Sequence, residues 1–368
     1  MADVFEPVRI GKLELRNRFV RSATWDATAD ATGAATERSV AIYETLGQGN
    51  IGLIVSGYAF VSLHGKAMVG QYGAHSDAML PGLRRLAAAA KKGGSRVALQ
   101  IVHAGINSPW RRSQGEVPLA VSALPGVKEP HREMTDAEID ALADDFAAAA
   151  VRGREAGFDA VQLHGAHGYF MSQIISPLFN RRTDRWGGSP EDRRRFHLEV
   201  VRRVRRAVGP DFPLLIKFGV MDDREGGLTL AEGIDTINEM AAAGLDGVEI
   251  SAGIGQPVPR TRSGNGEVVP FRERAARVKA AVAIPVAVVA GIRRLETAAG
   301  IVASGDADLV AMCRPFIREP HLVARWQRGE TAPARCISCN RCMAIVGRGQ
   351  PLECGEERRR REEAARGA

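Results

Sequence analysis

No stretch of about 18 consecutive apolar residues occurs in this 368-residue chain, so no segment is long enough to cross a bilayer as a helix. Nor does the N-terminus, Met1-Ala-Asp-Val-Phe-Glu-Pro, carry a basic segment followed by an apolar one, and no signal peptide is read there. Aromatic residues are scarce at 5%, yet apolar residues reach 45%, enough for a substantial buried core. Cysteine is almost missing until the end. Four of the five crowd between positions 336 and 354, unlike the framework of a disulfide-stapled secreted domain. Neither charge sign dominates, because 50 Lys and Arg are interspersed with 43 Asp and Glu. That balance excludes a nucleic-acid-binding stripe and suits a mildly basic surface facing, at most, a phosphorylated ligand. A G-x-G-x-x-G after an early strand is also lacking, which removes the main support for a doubly wound dinucleotide-binding sheet. The expectation is a cytoplasmic protein with no membrane and no nucleic-acid partner; self-association stays open.

What is present is an alternation. Short apolar runs that do not alternate with polar residues lie at Phe19–Thr24, Ile51–Ser56, Val97–Val102, Ala160–His164, Leu214–Phe218, Gly247–Ser251, Val286–Ala290 and Asp308–Met312. Such runs suit parallel strands buried on both faces. Amphipathic, Ala-rich stretches lie between them, near 36–47, 77–93, 136–156, 190–208, 230–243, 271–282, 295–304 and 319–328. Thr135-x-x-Glu138 and Thr229-x-x-Glu232 are capping boxes, and Ser189-Pro190 places an N-cap before a first-turn proline. Gly244 and Gly305 stand where helix ends take a left-handed residue. Eight strand–helix units predict a closed (β/α)8 TIM barrel over 1–330. Val8–Leu15 reads as a β-hairpin plugging its N-terminal mouth, and 331–368 as a short Cys-rich extension with a charged, solvated tail. Long loops at 104–134 and 165–189 rise at the opposite, catalytic face.

In a barrel the residues ending each strand share one mouth. The fourth strand ends in His164-Gly165-Ala166-His167-Gly168-Tyr169, where two glycines let three polar tips converge. Two imidazoles can hold a developing oxyanion, and a phenol can supply a proton. A metal-ligand pair or a hydrogen-bonded loop is the plainer reading of the same residues. Other strands deliver Ser22, Ala23 and Thr24, then Tyr58, Gln100, Lys217, Gly253, Gly291, Cys313 and Arg314. Glycine after strand seven and arginine after strand eight form a barrel phosphate-binding pattern, although Gly291 alone could serve only a turn. Gln100 and Lys217 suit a flat heteroaromatic ring bearing carbonyls and an N–H. An ion pair with a neighbouring carboxylate is the alternative for Lys217.

Together these residues carry a resemblance. Asn17-Arg18-Phe19-Val20, Gln100-Ile-Val-His103-Ala-Gly105, His164-Gly-Ala-His167-Gly-Tyr169, Ser176-Pro-Leu-Phe-Asn180, Asp184-Arg-Trp-Gly-Gly-Ser189, Val289-Ala-Gly291-Ile292 and Asp308–Pro315 occur in order at barrel spacing. In these motifs the chain resembles the Old Yellow Enzyme family of FMN-dependent ene-reductases over residues 3–330. The resemblance implies FMN across the mouth, with Ser22, Ala23, Thr24 and Tyr58 beside the ring, Gln100 at its pyrimidine edge and Lys217 near N1/O2. It implies Gly253, Gly291, Cys313 and Arg314 around the remainder of the cofactor. It further implies NAD(P)H, or an electron carrier, as reductant. The substrate would be a small molecule with an activated double bond, its carbonyl held by His164 and His167 and its α-carbon protonated by Tyr169. Ala23-Thr24-Trp25 and Cys313 depart from the commoner residues beside the flavin, and no cysteine is placed for a covalent flavin link. An amine dehydrogenase-like enzyme, a non-catalytic electron-transfer flavoprotein and a metal-dependent hydrolase are the rival readings.

Cys336-x-x-Cys339-x-x-Cys342, with Cys354 beyond, lets one turn of chain present three thiolates and a loop bring the fourth. The segment resembles the [4Fe–4S] region of the dienoyl-CoA reductase and trimethylamine dehydrogenase branch. A zinc site or a partly ordered tail are the alternatives.

Overall fold

The computed structural model describes residues 3–255 and 267–366; Met1, Ala2, 256–266 and the last two residues lie outside the described residues. Eight parallel strands close into a barrel: Phe19–Arg21, Leu53–Val55, Arg96–Val102, Ala160–Gly165, Leu214–Gly219, Gly247–Ser251, Val286–Val289 and Leu309–Met312. The eighth pairs with the first and the third with the fourth, so the sheet has no free edge within the ring. Every predicted strand is present, displaced by no more than a few residues at either end. Their continuous burial follows from being covered by side chains inside and helices outside.

The eight expected helices surround the sheet. The boxes at Thr135 and Thr229 form as read, each hydroxyl accepting from the backbone N–H three residues on. Gly244 and Gly305 adopt φ of 110° and 76°, closing the helices before them. One helix starts later than its periodicity suggests, at Leu80, because Asp77–Met79 winds as a 3-10 turn. The stretch near 319–328 contracts to Leu322–Gln327.

The hairpin Val8–Ile10/Leu13–Leu15 is antiparallel and turns at Gly11, whose φ is 55°. Ile10 reaches under the barrel, its Cγ2 close to the start of the sixth strand at Gly247. The loop after the third strand holds a short helix, Pro109–Ser113, and a two-strand pairing of Leu119–Ala120 with Arg132–Glu133. Arg182, 9% exposed, ties this loop to the next by donating to the carbonyls of Val121 at 2.9 Å and Met134 at 2.6 Å. Trp186 is wholly buried and donates to Asp136. The 176–189 motif is therefore the frame of the mouth.

The extension packs against this frame. Cys342, Val346 and Leu352 form a small apolar cluster with Ala27, Trp25 and Ile317. Backbone bonds from Ala334 to Arg293 and from Leu352 to Asp26 fix its two ends. The charged tail is a helix, Gly355–Arg366, laced by Arg358–Glu362 and Arg359–Glu363 pairs one turn apart. Among the described residues no helix is long and apolar enough to cross a membrane.

Candidate active site

The C-terminal ends of the strands open on a cavity of about 390 Å³. Its wall includes Ala23, Thr24, Tyr58, Gln100, His164, His167, Tyr169, Lys217, Gly291, Cys313 and Arg314, all expected from the sequence. Ser22 and Gly253, also expected, are not part of this wall. Ser22 is fully buried with its hydroxyl turned to Glu249 and Lys217. Gly253 lies against the carbonyl of Met221, where a Cβ would sit 2.1 Å from that oxygen.

Register and loop clamps place the polar tips. His164 and Lys217 are partners on the fourth and fifth strands. After Gly165 the chain turns through His167, whose φ of 61° is uncommon outside glycine and marks a strained residue. Bonds hold it there: the His167 N–H donates to the Ala252 carbonyl at 3.0 Å, and Asn107 and Gln173 both donate to the Gly168 carbonyl at 2.6 Å. The His164 and His167 rings lie 5.0 Å apart, and Tyr169 lies 5.0 Å from His164.

Protonation follows from burial. The Ala166 N–H donates to His164 Nδ1 at 3.3 Å, so a neutral ring presents its Nε2–H elsewhere. Desolvation, then the neighbouring His167 and Lys217 charges, hold His164 well below the usual imidazole range. Desolvation and Lys217 push His167 down to about 3. Both rings stay neutral near pH 7, each with one N–H to donate; His167 Nε2 is 2.8 Å from Ser251 Oγ. Burial raises the Tyr169 phenol, partly offset by the Tyr58 hydroxyl 3.3 Å away. Tyr169 is thus held in its acid form. The plainer reading of His164 and His167 as a metal pair finds no third ligand: among the described residues no group of three His, Cys, Asp or Glu converges to hold a single ion.

The floor and far wall suit a flat polar ring with an anionic tail. Gln100 is fully buried, and its Oε1 has no hydrogen-bond partner. Lys217 reaches the same cavity while pairing with Glu249 at 3.1 Å, so the ion pair read as its alternative is present. Ala290 and Gly291 are successive left-handed residues, and a Cβ on Gly291 would sit 1.9 Å from the Val268 carbonyl. Arg314 stands beside them and bonds Asn340 Oδ1 at 2.6 Å.

Residues from the extension were not foreseen here. Asn340 and Met343 belong to the cavity wall, as do Met68 and Phe271. Arg314 and Asn340 also border a second cavity of about 20 Å³ around which Cys336, Cys339, Cys342 and Cys354 all stand. Burial raises the Cys336 thiol and pushes Cys342 up to about 11, with the Arg314 charge opposing both. Ser338 and Asn340, at φ of 55° and 58°, bend the chain between the thiols.

Residues 3–332 match the family described as NADH:flavin oxidoreductase / NADH oxidase. An NADH oxidase of Thermoanaerobacter brockii is 36% identical over 346 residues, covering 92% of this chain and 53% of that protein. An NADPH dehydrogenase of Geobacillus sp. (strain WCH70) is 33% identical over 322 residues, covering 86% of this chain and 92% of that protein. A solved 2-naphthoyl-CoA reductase in complex with 2-naphthoyl-CoA superposes with a TM-score of 0.90 at 28% identity, covering 96% of this chain and 56% of the other. The chain spans about half the length of several curated relatives it matches, such as the 53% of the NADH oxidase. With its closed barrel and strand-end residues, the chain belongs to the NADH:flavin oxidoreductase / NADH oxidase family, the Old Yellow Enzyme family.

Proposed function

We propose that this chain is an FMN-dependent oxidoreductase that draws on NAD(P)H, or on an electron carrier, to reduce an activated C=C bond of an enone, enoate or enoyl thioester. The observation that carries the reading is the convergence of His164, His167 and Tyr169 on the cavity that Gln100 and Lys217 floor. FMN, when bound, supplies hydride transfer between nicotinamide and substrate. Gln100, Lys217, Ala23, Thr24 and Tyr58 would hold its ring, and Gly291, Cys313 and Arg314 its phosphate end.

His164 and His167 orient the substrate carbonyl through neutral N–H groups. Negative charge growing on that oxygen during reduction would be stabilised by these N–H groups, which would favour an enolate-like transition state. Burial keeps these donors from titrating near pH 7. Tyr169 gives its phenolic proton to the α-carbon, and the adjacent Tyr58 hydroxyl supports the charge left behind. The apolar side chains of Trp25, Met68 and Met343 limit water around this exchange.

The four cysteines are read as ligands of a [4Fe–4S] cluster. The reading rests on four cysteines that border one small cavity, at a sequence spacing suited to thiolate ligation of a cluster. The absorbance spectrum of anaerobically purified protein tests both assignments, backed by iron and acid-labile sulfide assays. Bound FMN and about four iron per chain are expected from a single cubane. A colourless protein that takes up no FMN overturns the reading, and fewer than about three iron per chain removes the cluster. Reoxidation of the reduced protein by an enone, under anaerobic conditions, tests the substrate class.

A further inference from the structure

Below the cavity, a line of buried side chains crosses the barrel interior. Glu249 on the sixth strand is the register partner of Lys217 on the fifth, and both side chains are 3% exposed. Ser22 Oγ donates to Glu249 Oε1 at 2.5 Å and accepts from Lys217 Nζ at 2.6 Å. The other carboxylate oxygen accepts from Gln162 Nε2 at 2.9 Å. Gln162 Oε1 in turn accepts from Gln100 Nε2 at 2.7 Å. The line ends at Gln100 Oε1, buried and without a partner.

Its direction is dictated by chemistry. An ionised carboxylate only accepts, so Gln162 must turn its NH2 to Glu249 and its oxygen to Gln100. Gln100 must then donate to Gln162, which leaves its own oxygen for the cavity. Flipping either amide would set oxygen against oxygen or NH2 against NH2 among buried groups.

The geometry points to Glu249 as a positioning residue that sets both the polarity and the charge of the cofactor floor without touching the cavity. Through Gln162 it makes Gln100 an acceptor, fit for the ring N–H of a flavin. Through Lys217 it converts a lone cation into a neutral pair. Negative charge gained by the ring on reduction is then stabilised less than by an unbalanced lysine, which keeps the reduced cofactor a strong hydride donor. This inference rests on the FMN reading above.

The test is the FMN midpoint potential of the Glu249→Gln holoprotein, from anaerobic dye-coupled titration. Losing the carboxylate should shift the balance toward reduced flavin by at least about tenfold, about 30 mV for two electrons. Gln162→Met cuts the line but leaves the Lys217–Glu249 pair. It should weaken FMN binding to the stripped protein about tenfold while moving the potential less than Glu249→Gln does. A purely structural role would lower the melting temperature and leave the potential in place. If the holoprotein binds FMN but Glu249→Gln shifts that balance less than about threefold, the inference fails while the FMN reading stands. If Glu249→Gln does not fold, unchanged FMN affinity in Gln162→Met overturns the inference. A wild-type protein that binds no FMN overturns both.

Discussion

At the barrel mouth, His164, Lys217 and Glu249 occupy matched positions on three adjacent strands, and all three are nearly inaccessible to solvent. In the extension, Cys336 and Cys339 sit on loops and Cys342 on a six-residue helix; Cys339 is exposed, and the segment is held by a small apolar cluster, backbone bonds to Arg293 and Asp26, and arginine–glutamate pairs. Ladder hydrogen bonds on both sides of every barrel strand over-determine the first set. The second rests on fewer contacts, a small apolar cluster and ion pairs that each have one solvent-exposed partner. The mouth is fixed by the sheet itself, whereas on the proposed cluster reading the extension would be completed by its ligand.

Breaking the mouth should have the largest effect. Tyr169→Phe removes the acid, and oxidation of the reduced protein by an enone should slow about 100- to 10,000-fold in anaerobic stopped flow. Flavin reduction by NAD(P)H and iron content should not change. A loss under about threefold would show that the proton comes from elsewhere. His164→Ala removes one of two donors on the carbonyl, for which a loss of about 100- to 1,000-fold in the same step is expected.

Breaking the extension should separate the two regions. Cys342→Ser replaces a buried thiol with a poor iron ligand, and more than about half of the iron should be lost while FMN remains bound. Loss of FMN along with iron would mean that Asn340 and Met343 make the extension integral to the flavin site.

The smallest effect concerns acid stability. Burial depresses His103, His167 and His197 to about 3, so these rings are neutral in the folded chain. The unfolded chain takes up protons below its imidazole pKa of about 6.5. Their contribution is therefore fully present above about pH 6.5 and is lost as pH falls toward 3. Unfolding free energies from urea titrations at pH 7 and pH 5 should differ by up to about 2 kcal/mol per histidine. His197, with neither ring nitrogen partnered, is the simplest to isolate. His197→Leu should flatten the pH dependence by its own share and leave turnover unchanged; an unaltered slope would assign the effect to other groups.

Much of this was legible before any coordinates. The strands were readable because buried parallel strands show as short apolar runs, and two helix starts because a hydroxyl and a carboxylate cap locally, a third because a serine N-cap precedes a first-turn proline. The strand-end residues followed once the barrel was assumed. Glu249 could have been noticed as the one charge in the apolar run Gly247–Ser251, with Lys217 its natural partner. Asn340, Met343 and Met68 carry no such signal, since nothing local tells a loop residue that it will cover a cavity. Ser22 and Gly253 lie outside the cavity wall for a related reason. Sequence shows that a residue ends a strand, but whether its side chain faces ligand or lattice of buried bonds depends on its neighbours.

From the chain alone came the eight units, the residues at their ends and the pattern of four thiols, because periodicity, caps and spacing act over a few residues. The tertiary structure decided which ends face the cavity, which way the Gln100 amide points and how the extension closes the mouth. Those outcomes depend on partners far apart in sequence, such as Ser22 and Glu249, separated by 227 positions, or Arg182 and Val121, separated by 61. Only the tertiary fold brings such groups within hydrogen-bonding distance, and the burial that comes with it makes an unpartnered polar atom costly.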